Sequence, residues 1–113
     1  MTIAAAPPPP GLMSVERYLT SVPRGFEYVA GRLEELPMPK RVHQKLIRTL
    51  SRQMEAASGY DNVEIAGFRV RTVGTNHREP DILYTADPDE WSESVAASAD
   101  LALEIVSDGR SDR

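Results

Sequence analysis

The chain contains no cysteine. That excludes disulfides, thiolate zinc sites and cysteine nucleophiles together, and it fits a cytoplasmic protein. No stretch reaches the roughly 18 apolar residues that a membrane span requires. The opening Met1-Thr2-Ile3-Ala4-Ala5-Ala6 places no positive charge before an apolar run, so it does not read as a secretory signal. Basic residues are not in excess. Thirteen Lys and Arg stand against 17 Asp and Glu, for a net charge of −4. Any surface for nucleic acid must therefore come from local clustering of Lys and Arg, because the overall field is weakly repulsive. No internal repeat is visible.

What is present is an ordinary globular composition, 41% hydrophobic and 27% charged, over 113 residues. That length suggests one domain at most, with a real core and little stability to spare. Four prolines, Pro7 to Pro10, favour extended polyproline II, which buries nothing. Residues 1–12 thus read as a disordered leader, and residues 13–113 as the domain. Ser14 is placed to cap a short helix from Val15 to Val22, which Pro23 stops. Phe26 to Leu36 reads as a β-hairpin turning at Ala30-Gly31. Residues 40–58 form the strongest helix, with Val42, Leu46, Ile47, Leu50 and Met54 on one face. Arg41, Lys45, Arg48 and Arg52 make a narrow basic stripe on the opposite face. Val63 to Val73 reads as a strand with a bulge at Gly67, and Asp81 to Ala86 as a short strand. Residues 87–100 read as a loop. Leu101 to Ser107, the most apolar segment, reads as a central buried strand. The sum is a mixed α/β domain whose long helix packs on a sheet.

Two acidic residues fall where burial makes them expensive. Asp81 opens the apolar run Asp81-Ile82-Leu83-Tyr84, and Glu104 lies within Leu101-Ala102-Leu103-Glu104-Ile105-Val106. A buried carboxylate needs a partner or takes up a proton, and a divalent cation is one good partner. If the two strands are neighbours, both carboxylates converge on one hard ion of the Mg²⁺ type, which suits one or two carboxylates plus water and phosphate oxygens. From spacing alone, a Glu paired with an Arg, or a Glu on an edge strand facing water, accounts for the pattern equally well.

Arg78-Glu79-Pro80-Asp81-Ile82-Leu83, followed by Leu101-Ala102-Leu103-Glu104-Ile105-Val106-Ser107, resembles the paired R-E-P-D-hydrophobic and L-x-x-E-V-x-S segments of the Uma-two family of restriction-endonuclease-like proteins. Upstream segments agree in order. Met13-Ser14-Val15-Glu16-Arg17-Tyr18-Leu19 is similar to that family's opening helix, and Phe26-Glu27-Tyr28-Val29-Ala30-Gly31 to its Y-E-L-I-D-G hairpin. Pro39 followed by His43-Gln44 is similar to its P-x-x-x-H-[QS] helix start. The resemblance implies a PD-(D/E)XK fold with a restriction-endonuclease-like mixed sheet, flanking helices and an N-terminal hairpin. It also implies Mg²⁺ or Mn²⁺ and hydrolysis of DNA phosphodiester bonds. Carried over by position, Asp81 and Glu104 become the metal ligands and catalytic carboxylates, assisted by His43 or Glu27. Two positions depart from the pattern. The superfamily lysine falls where this chain has Val106, and the family's acidic turn is Ala30-Gly31-Arg32 here. In the variants that the Uma-two family resembles, the lysine moves to a following helix, and this chain ends at Arg113.

His43 falls on the apolar side of its helix, toward the carboxylates. A site role and a hydrogen-bonded core histidine are equally good readings of it. His77 reads as a solvated residue of a polar turn, and Trp91 as a loop anchor. Arg41, Lys45, Arg48 and Arg52 suit a DNA backbone, although an ordinary solvated face is the better reading of a stripe opposite the core. The resemblance further implies a domain incomplete at its C-terminus. The Leu101–Ser107 strand is then expected to need a second copy or a partner chain over it. A non-catalytic DNA-binding or protein-interaction module of the same fold is the alternative.

Overall fold

The computed structural model describes residues 11–65, 67–92 and 95–106. Most of the leader, the end of the Leu101–Ser107 segment and the polar tail lie outside the described residues. The chain opens with α1 (Val15–Ser21). The Ser14 hydroxyl accepts the Arg17 N–H at 3.2 Å, which is the N-cap that the sequence places there. Next come β1 (Phe26–Val29) and β2 (Arg32–Glu35) in an antiparallel hairpin. Val29 pairs with Arg32, so Ala30 and Gly31 alone make the turn, at φ 52° and 81°. Two successive positive φ values match the right-handed twist of a two-residue hairpin.

The long helix, α2, spans Arg41–Ser58 and ends at Gly59, whose φ is 123°. His43, Ile47 and Ser51 are buried on it, with Leu50 and Met54 packed beside them. Arg41, Lys45, Arg48 and Arg52 are exposed, on the face away from the core. Val42 and Leu46, expected on the core face, stand exposed as well. At about 100° per residue they lie well to one side of the His43–Ile47–Met54 line, and the strands beneath α2 cover a narrower arc than its apolar face.

Six short strands follow among the described residues: β3 (Val63–Ile65), β4 (Arg69–Arg71), β5 (His77–Arg78), β6 (Ile82–Tyr84), β7 (Val95–Ala96) and β8 (Leu101–Leu103). They divide between a five-stranded sheet, ordered β2-β1-β5-β4-β7, and a three-stranded sheet, ordered β3-β6-β8. All pairs are antiparallel except β4 with β7. The sequence suggests one strand from Val63 to Val73, and the chain instead makes two. Residues 63–71 and 77–84 form a long bent hairpin whose two halves belong to different sheets. Ile65 pairs with Ile82 and Val70 with Arg78, so four residues on one limb oppose three on the other. The bulge expected at Gly67 is not found, since no described ladder pair spans it, and the Phe68 N–H instead donates to the Ile65 carbonyl at 3.3 Å in a turn between β3 and β4. Gly67 has φ at 98°, and the Arg24 side chain fills the space where a Cβ would sit. This turn carries the chain from one sheet to the other.

The Leu101–Ser107 reading needs correction. β8 is an edge strand of the three-stranded sheet, and Leu101 remains 46% exposed. The middle strand is β6, with Ile82 and Leu83 0% and 1% exposed. Ile82 packs with Ile47 and Val63 under α2, where Leu103 and Ile105 also reach. Leu83 joins a second cluster with Val70 and Ala96, flanked by Phe68 and Trp91. Trp91 anchors its loop, its indole N–H donating to the Ser98 carbonyl at 2.8 Å. No described helix is long and apolar enough to cross a membrane.

Candidate metal centre

Asp81 sits at the junction between the two sheets, directly after buried Pro80 and one residue before β6. Its Oδ2 meets two donors. The Ile105 backbone N–H donates to it at 2.6 Å, and His43 Nε2 approaches to 3.1 Å. An ionised carboxylate only accepts, so the imidazole carries its proton on Nε2 in this contact. The positioning follows from local structure. His43 and Ile47 are one helical turn apart on α2, so the packing of Ile47 on the core turns His43 toward the start of β6. Both contacts fall on Oδ2, and Oδ1 is engaged by no other described residue.

Glu104 follows β8 directly. The last ladder pair is Ile82 with Leu103, so Asp81 and Glu104 each lie one residue beyond it, at the same end of neighbouring strands. Residue 105, which bonds Asp81, is the next in the chain. Asp81 is half-buried and Glu104 is exposed. The burial expected of Glu104 is therefore not found, because β8 is at the sheet's edge. The two carboxylates are hard oxygen donors, the chemistry that Mg²⁺ and Mn²⁺ prefer. Among the described residues there is no group of three or more His, Cys, Asp or Glu that could hold a metal ion. Mg²⁺ usually retains several waters, and two carboxylates suffice for it.

Glu27 is not joined to this pair by a hydrogen bond. It is buried in β1, and its carboxylate accepts from Arg78 at 3.0 Å and from the Glu79 backbone N–H at 2.9 Å. Glu79 is buried as well. It accepts the Gly25 N–H at 3.0 Å on one oxygen and Arg69 Nε at 3.1 Å on the other. The rest of the Arg69 guanidinium donates to the carbonyls of Tyr18, Val22 and Pro23, and lies 4.0 Å from the centroid of the Tyr18 ring. Burial pushes the Tyr18 hydroxyl above its ordinary value, against the pull of Arg69, so it stays a neutral donor to the Phe26 carbonyl. Arg69 and the Ile105 N–H were not anticipated from the sequence. A charged residue within an alternating apolar strand is the signal that marks Arg69. Nothing in a sequence marks a backbone amide.

His77 corrects another expectation. It is a buried residue of β5, not a solvated turn residue. Its Nδ1–H donates to the Thr75 carbonyl at 2.7 Å, and its ring lies 5.8 Å from that of Tyr18. The polar neighbours Thr75 and Asn76 suggest a turn, but β5 is held between β1 and β4, which closes over the imidazole. Burial holds the His77 pKa below its ordinary value, aided by Arg69 and Arg71 and opposed by the Thr75 carbonyl. A group lowered on folding is held neutral in the native state, so the unfolded chain takes up the proton first as pH falls. Stability is then complete above about pH 6.5 and declines below it. Thermal unfolding from about pH 7.5 to about pH 5.5, where most carboxylates stay ionised, is expected to show a falling Tm. His77→Gln should flatten that slope, and an unchanged slope would show that the imidazole is not its source.

The fold and the site together define a class: a mixed α/β protein of the restriction-endonuclease-like type, with an acidic residue at the start of the middle strand and a second beside it. A family model, Uma2, described as "Putative restriction endonuclease", matches residues 15–113. The chain belongs to that family. Comparison with curated proteins and with solved structures gives no match.

Proposed function

We propose that this chain is a cytoplasmic, metal-dependent endonuclease of DNA, its domain spanning residues 13–113, with Asp81 and Glu104 holding one Mg²⁺ or Mn²⁺. The observation that carries this reading is the placement of Asp81 beside the Glu104–Ile105 segment at the common end of β6 and β8. Asp81 and Glu104 would hold the ion, with Asp81 itself fixed by the contacts of His43 and Ile105 on Oδ2. When bound, the ion polarises a phosphoryl oxygen and lowers the pKa of an attacking water. His43 orients the carboxylate through its Nε2 contact. Glu27, its oxygens taken by Arg78 and Glu79, assists from the β1 side through the backbone that leads to Asp81. Arg41, Lys45, Arg48 and Arg52, exposed along α2, supply phosphate contacts. β8 borders no other described strand on its outer side, and Leu101 and Val106 are exposed there. A second copy or a partner chain is expected on that edge.

One feature favours a second reading, a DNA-binding or protein-interaction module that does not cut. Val106 stands two residues after Glu104, where the superfamily has its lysine. A titration of Mg²⁺ or Mn²⁺ against supercoiled plasmid separates the two. The nuclease reading expects metal-dependent nicking, reduced by at least about 100-fold in Asp81→Ala and Glu104→Ala, the scale on which removal of one electrostatic group acts. A salt-sensitive gel shift with no cleavage at any metal concentration would establish the module instead.

A further inference from the structure

We infer that Glu79 is a positioning residue for Asp81, and that with Arg69 it ties the candidate metal site to the N-terminal helix. The inference rests on the reading of Asp81 as a metal ligand, and it adds a residue to which that reading gives no role. Glu79 is held at three points. Its N–H is bound by Glu27, and its two carboxylate oxygens by Gly25 N–H and by Arg69. Arg69 is in turn fixed to the carbonyls of Tyr18, Val22 and Pro23, so α1 and the segment after it are part of the same clamp. Neither Arg69 nor Glu79 is more than 6% exposed. That is a heavy commitment of buried charge to one residue, since taking two ions from water is unfavourable until their attraction offsets it.

The route from Glu79 to Asp81 is short and stiff. Only Pro80 intervenes, and it is buried. Proline fixes its own φ and drives the preceding residue to extended backbone. A residue pinned at three points and followed by proline leaves the next residue little freedom. Asp81 is thus held from its N-terminal side by the Glu79 clamp, and from its carboxylate by His43 and Ile105. The bend between the sheets falls at the same place. The clamp therefore sets the direction in which the chain leaves the five-stranded sheet and enters β6.

The Ile105 amide reports where the Asp81 carboxylate sits, without any metal. In Glu79→Gln the amide side chain cannot accept from both Gly25 and Arg69. The expected result is a faster hydrogen exchange at Ile105, by about 10-fold, relative to its neighbours in β6 and α2. Mn²⁺ affinity, measured well below the unfolding temperature, should fall about 10-fold, as it does when groups supporting metal ligands are removed. Should Glu79→Gln fail to fold, Glu79→Asp keeps the charge and shortens the reach, and the same two readouts apply. A uniform rise in exchange, with Ile105 in step with its neighbours and Mn²⁺ affinity unchanged, would mean that Glu79 only stabilises the fold and would overturn the inference. If the wild-type chain binds no Mn²⁺ at all, the metal reading of Asp81 fails, and the exchange at Ile105 alone decides the positioning role.

Discussion

Replacing Arg69 by methionine is expected to cost about 3–5 kcal/mol, the range for breaking a buried ion pair by removing one partner. Single domains have only about 5–15 kcal/mol in total, so the variant should lose a large part of its stability. The loss has three sources. Glu79 is left as an uncompensated buried charge. The carbonyls of Tyr18, Val22 and Pro23 each lose a charged donor. The stacking of the guanidinium on Tyr18 goes as well. Arg78 provides the contrast. It too contacts a buried carboxylate, that of Glu27, but its own side chain is 45% exposed. Water solvates the arginine itself, so Arg78→Met should cost less than Arg69→Met, about 1–3 kcal/mol, set by the buried Glu27 carboxylate that it leaves with one donor fewer. Urea unfolding of both variants checks the difference. Equal midpoints would show that burial is not what sets the worth of these two arginines.

Ile82→Ala is expected to cost about 2–5 kcal/mol, and Leu101→Ala well under half of that. Ile82 is fully buried between α2 and the three-stranded sheet, packed with Ile47 and Val63. Truncating it opens a cavity that the rigid α2–sheet contact cannot close. Leu101 lies on the edge strand, and much of it faces water already. The composition of the two segments suggests the opposite order, because Leu101 to Val106 is the more apolar run. Chemical denaturation of the two variants therefore tests the strand order directly. Comparable losses would mean that β8 is covered in solution, as a second copy or partner chain along its edge would cause.

Local elements were largely legible in the sequence. Ser14 and Pro23 mark the ends of α1, the Ala30-Gly31 pair marks the hairpin turn, and Gly59 ends α2. Each of these depends on one or two residues and their neighbours, which is why it can be read locally. Gly67 reads locally as a bulge within one strand, but it lies in a turn between two, because the limbs on either side pair in different sheets. β5 was missed because His77 and Arg78 are polar and follow a turn, and only their pairing with β1 and β4 makes them a strand. Val42 and Leu46 were assigned to the core because the helical period places them near it. How wide an arc of α2 the strands cover is a property of the sheet.

The candidate site divides in the same way. Asp81, Glu104 and His43 stand out as residue types in a motif, and His43 on the inner side of α2 follows from the helical period alone. That His43 reaches Asp81, that a backbone amide at Ile105 holds the same oxygen, and that Glu27 faces Glu79 rather than Asp81 all depend on contacts between residues far apart in the chain.

By itself, then, the sequence determined the helices, the hairpin and the family, because capping, turn geometry and periodicity act over a few residues. Only the tertiary structure decided which strand is central, which apolar residues are covered, and which acids share a neighbourhood. Those outcomes depend on pairing register and on the bend between two sheets, which no local run of residues encodes.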